Sequence, residues 1–70
     1  MTLPTTTIAG ITVCDTPLVQ AAVENARVEL PPPLFNHVMR SWLFAAYFAH
    51  AERISVDEEV LAISAIMHVR

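Results

Sequence analysis

Seventy residues with a net charge of −3, 54% hydrophobic and 16% charged, allow one small domain whose single core is marginal by size alone. The four cations are Arg27, Arg40, Arg53 and Arg70, they form no cluster, and a nucleic-acid footprint is excluded. A lone cysteine, Cys14, rules out an intrachain disulfide or a cysteine zinc knuckle and fits a reducing compartment. No basic region or apolar run at the N-terminus suggests a signal peptide. The longest uninterrupted apolar stretch, 42–49, is far short of the roughly 20 residues that span a bilayer. The expectation is a soluble cytoplasmic chain with no nucleic-acid and no membrane partner.

Residues 1–14 are rich in Thr and β-branched side chains, interrupted by the single Gly10. They read as an extended arm or short edge strand with no visible partner strand. Asp15-Thr16-Pro17 is a helix start, a capping side chain followed by a residue whose fixed φ suits the first turn. Leu18, Ala21, Ala22 and Ala26 share a face at helical spacing, so the first helix runs to about residue 28. Pro31-Pro32-Pro33 ends it, since prolines donate no hydrogen bond and hold the preceding residue extended.

A second helix is expected over about 34–53, with Phe35, Val38, Trp42, Ala45, Ala46 and Ala49 as one stripe. Leu43, Phe44, Tyr47 and Phe48 cover much of its remaining surface. A helix apolar nearly all round belongs at the centre of a larger core. Ser55-Val56-Asp57-Glu58 reads as a capping box. The acidic run Asp57-Glu58-Glu59 then complements the positive end of the helix dipole, because consecutive helical acids point around the axis and not at one ion. Val56, Val60, Ile63 and Met67 form the expected buried stripe of a third helix, which has no stop signal after Met67.

Three helices cannot bury this much apolar surface among themselves, so self-association through exposed helix faces is expected. Among residues that could carry chemistry, His37 lies near the start of the second helix and His68 at the end of the third. Two antiparallel neighbours on a short loop bring those ends together, so the imidazoles could share a metal. On spacing alone, two unrelated histidines are the simpler reading. Arg40, one turn from His37, either orients an anionic or polar substrate or pairs with a surface acid. His50 falls well off the His37 face and reads as solvated or partner-facing. Trp42, Phe44, Tyr47 and Phe48 read as core packing, since no basic residues accompany them. Cys14, in a flexible arm with no cation beside it, shows no sign of an activated thiolate.

Taken together, Asp15-Thr16-Pro17-Leu18, then Pro33-Leu34-Phe35-Asn36-His37-Val38-Met39-Arg40-Ser41, Phe44-Ala45, Asp57-Glu58-Glu59-Val60-Leu61 and Ala65-Ile66-Met67-His68 resemble the N-terminal part of the HD-domain proteins related to cyanamide hydratase. The Asn-His-x-x-Arg-Ser segment with the later Met-His is the most specific part. The resemblance implies an all-α fold: an extended N-terminal arm over 1–14 and the N-terminal half of an HD domain over 15–70, with about three helices. It implies a divalent metal, iron or zinc, held by a first His, a His-Asp pair and a later Asp. Such a metal activates water for hydrolysis of a small-molecule substrate or hydration of a nitrile. His37 matches the first metal ligand, His68 the second, and Arg40 an Arg that follows the first His. Val69 stands where the pattern has Asp, and the later Asp has no counterpart. The expectation is therefore a truncated HD domain without activity, its metal weakly bound or absent. Val69-Arg70 is what a frame yields on running into an intron, a frameshift being the main rival. The competing reading, of another class, is a small helical interaction module without catalysis.

Overall fold

The computed structural model describes residues 3–67, which form β1 (Thr5–Ile8), β2 (Ile11–Cys14), α1 (Pro17–Glu29), α2 (Pro32–Ala51) and α3 (Glu58–Met67). The fold is mostly helical but not all-α, because the N-terminal segment is a paired hairpin. β1 and β2 run antiparallel, Thr5 opposite Cys14 and Ile8 opposite Ile11. The loop is two residues, Ala9 at φ 51° and Gly10 at φ 80°. Positive φ at both positions matches the right-handed twist of the flanking strands, which is why two-residue hairpins use it. Ala9 takes this conformation without the Asn, Asp or Gly that usually marks it, and so the partner strand was not legible. Asp15 N–H donates to the Pro4 carbonyl at 2.8 Å, extending the ladder into the lead of α1.

Thr16 is the N-cap of α1: its Oγ1 accepts from Val19 N–H at 3.3 Å, and Pro17 occupies the first turn. The buried face of α1 is Val19 and Ala26, with Ala22 and Val23 half-buried. Leu18, expected on that face, is 57% exposed, and Ala21 is exposed as well. α3, with α2 beside it, covers the helix from the side of Val19 and Ala26, and this sets its core stripe away from Leu18. The helix ends as Leu30 turns extended ahead of Pro31. Across this corner the Arg27 guanidinium sits 4.9 Å from the centroid of the Phe35 ring.

α2 begins at Pro32, two residues before the expected start. Pro32 and Pro33 fall in the first turn, where an N–H would have no intrahelical partner, so the proline run opens this helix as well as closing the last. Val38, Trp42, Ala46 and Ala49 are buried along it, as the periodicity predicts. Its C-terminus closes with Arg53 N–H to the His50 carbonyl at 3.2 Å and Ile54 N–H to the Ala49 carbonyl at 2.9 Å. Arg53 holds the left-handed conformation, φ 55°, that glycine usually supplies in this paired-bond helix stop.

α3 is capped by Asp57, not by Ser55. Asp57 Oδ1 accepts from Glu59 N–H and Val60 N–H, both at 3.1 Å. The helix buries Ala62 and Ile66, with Ile63 and Ala65 partly covered. The expected stripe is displaced: Val60 is 59% exposed, and Val56 and Met67 are also exposed. Glu59, in the first turn of α3, heads the observed stripe and accepts the Thr16 hydroxyl. One core joins Val13 and Cys14 of the hairpin, Val19 and Ala26 of α1, Val38, Trp42 and Ala46 of α2, and Ala62 and Ile66 of α3.

Candidate functional site

His37 and Arg40 lie one turn apart near the N-terminal end of α2, and both are exposed. Arg40 borders a shallow depression with Ser41, Phe44 and Ala45. His68 and Val69 lie outside the described residues, so the distance from His37 to its expected partner is not part of this geometry. Among the described residues no three His, Cys, Asp or Glu side chains gather as a metal would require.

The acidic run divides its work among three partners, in keeping with acids that point around a helix. Asp57 caps α3, Glu58 reaches His50, and Glu59 reaches Thr16. Glu58 Oε2 lies 2.7 Å from His50 Nε2, tying the C-terminal turn of α2 to the first turn of α3. His50 therefore has an intramolecular partner where the sequence suggested solvent or another protein. Thr16 Oγ1 donates to Glu59 Oε2 at 2.5 Å while accepting from Val19 N–H. One buried hydroxyl thus caps α1 and anchors α3. Thr16→Ala removes both bonds and leaves a half-buried carboxylate without its donor. A loss of about 1–3 kcal/mol in chemical denaturation is the expected result.

A cavity of about 260 Å³ opens between the hairpin and the α2–α3 turn, with Cys14, Thr12 and Leu3 on one side and His50 and Glu58 on the other. Cys14 is 3% exposed and packed in β2, not placed in a flexible arm. No local sequence signal marked this juxtaposition, because it needs the hairpin to fold against the end of α2. Of the four aromatics read as core, only Trp42 is buried. Phe44, Tyr47 and Phe48 are 71%, 60% and 51% exposed on the outer side of α2. The hairpin, α1 and α3 all pack against the opposite side.

No helix among the described residues is long and apolar enough to cross a membrane. No family model matches the chain, and no curated protein or solved structure matches it either.

Proposed function

We propose that the chain is built as the N-terminal part of an HD-domain metalloprotein related to cyanamide hydratase, and that these seventy residues by themselves turn over no substrate. The observation that supports this is the placement of His37 and Arg40 together on the uncovered face of α2, in a helix whose other face is fully used by the core. A central helix of a larger helical fold presents such a second face. α3 starts beside His50, and its ten residues rise about 15 Å back along α2, toward the half that carries Arg40. The residue that follows Met67 in sequence is His68, the second ligand of the proposed pair.

The donor set does not fit a tightly held metal. His37 is its one member among the described residues, and Val69 supplies no lone pair where the family pattern has a carboxylate. Two neutral imidazoles leave a divalent charge uncompensated. In the complete pattern iron or zinc supplies an activated water. Here the chain's own contribution is a ligand and a neighbouring cation, His37 and Arg40, held on a rigid helix.

Titration of the 70-residue chain with zinc, and with ferrous ion under anaerobic conditions, should show weak binding that a mild chelator reverses. His37→Ala, on an exposed position, should abolish it while the helical circular dichroism of the chain is retained. Cyanamide should not be hydrated, and Val69→Asp alone should not change that. Stoichiometric tight binding with turnover would sink the inactive reading, and binding indifferent to His37→Ala would sink the site.

The second reading, a helical docking module, is favoured by the outward-facing Phe44, Tyr47 and Phe48. It predicts a complex that neither metal nor chelator disturbs.

A further inference from the structure

The cavity between the hairpin and the α2–α3 turn gathers groups that the reading of His37 and Arg40 leaves unused. Thr5 stands opposite Cys14 in the hairpin register, and Thr12 precedes Cys14 by two positions. Paired and alternate residues of two antiparallel strands share one face, so these three side chains stand together on the face away from Ile8, Ile11 and Val13. All three line the cavity, with Leu3 beside them. Thr5 and Thr12 are exposed at its rim, while Cys14, 3% exposed, lies at its base. No hydrogen-bond partner among the described residues reaches the Cys14 sulfur.

The opposite wall decides what the cavity suits. His50 Nε2 donates to Glu58 Oε2 at 2.7 Å, which leaves Oε1 of the same carboxylate without a donor among the described residues. Glu58 is the only Asp, Glu, Lys or Arg on the lining. An anion entering here would meet that carboxylate, whereas an ammonium group would find a charged acceptor. Cys14, His50 and Glu58 do not converge as the ligands of a metal would, so the cation this wall suits is an organic one. Leu3, the Thr methyl groups and the thiol suit an apolar body. A cavity of about 150 Å³ takes benzene, and drug-sized ligands occupy about 300–1,000 Å³. A volume of about 260 Å³ therefore suits about ten non-hydrogen atoms.

We propose that this cavity binds a small primary amine on an apolar body, its ammonium on Glu58 Oε1 and its body against Leu3 and Cys14. The bond from His50 then does more than tie α2 to α3. It fixes the direction of the carboxylate before the ligand arrives, which lowers the ordering cost of binding. A ligand of about ten non-hydrogen atoms held by one charged contact should bind with a Kd of about 0.1–1 mM.

The test is titration of the isotope-labelled 70-residue chain with phenethylamine, phenethyl alcohol and phenylacetate at neutral pH, read by amide chemical shifts. The amine should shift the amides of Thr5, Thr12, Cys14, His50 and Glu58 and bind about tenfold more tightly than the alcohol, through the charged contact. Phenylacetate should shift none of them. Glu58→Gln, whose amide oxygen can still accept from His50, should weaken the amine about tenfold and leave the alcohol within about twofold. Thr12→Phe, an aromatic at an exposed strand position, should fill the cavity and abolish amine binding with the circular dichroism retained. Any of four results overturns the proposal: phenylacetate binding as tightly as the amine, Glu58→Gln without effect, shifts confined to other residues, or no shift at about 10 mM amine, well above the weakest Kd expected. Because metal titration reads His37 and this one reads Glu58, either reading can fail alone.

Discussion

Trp42→Ala should unfold most of the protein at room temperature. The indole is 3% exposed, in the middle of α2, where the hairpin, α1 and α3 converge on one core. Truncating a buried Trp typically costs about 3–5 kcal/mol, because the neighbours close only part of the cavity. A single core in a chain of about 70 residues rarely supplies more than about 3–5 kcal/mol, so the loss is comparable with the whole. The expected readouts are collapse of the cooperative urea transition and loss of the near-ultraviolet dichroism. Trp42→Phe keeps most of the volume and should retain a transition. If Trp42→Ala melts within about 5 °C of the parent, a shift worth only about 1 kcal/mol in a domain this small, Trp42 is not the keystone the packing makes it.

The second large effect separates two faces of α3. Ile66 is fully buried, and Ile66→Ala should cost about 2–5 kcal/mol. Val60, of similar chemistry but 59% exposed, should tolerate Val60→Ala within about 0.5 kcal/mol. Midpoints of chemical denaturation measured on the two variants decide it. Equal losses would mean that α3 is rotated to the phase its sequence pattern suggests, with Val60, Ile63 and Met67 inward.

The phase of α3 shows where hydrophobic periodicity stops being informative. In Glu58–Met67 most positions are apolar, so several stripes have nearly the same hydrophobicity, and the pattern cannot choose among them. The choice falls to a polar contact: Thr16 holds Glu59 inward at 2.5 Å, and that fixes the rotation which buries Ala62 and Ile66. The same holds for α1, where Leu18 looked like a core residue and Val19 is one. In α2 the stripe Val38, Trp42, Ala46 and Ala49 was legible because one large aromatic and a run of alanines define a face on which other helices approach closely.

The sequence by itself determined the three helices and the breaks between them, since prolines and capping side chains act locally. It also placed His37 and Arg40 on one side of one helix, a consequence of spacing alone. Only the tertiary structure decided that the N-terminal segment is a hairpin, because Ala9 carries no turn signal and takes positive φ from its context. Only the tertiary structure paired His50 with Glu58, which depends on the left-handed Arg53 that turns the chain back. It alone left Phe44, Tyr47 and Phe48 facing out. Periodicity sets them on a different side of α2 from Trp42, and because the hairpin, α1 and α3 all pack on the Trp42 side, that second side stays exposed.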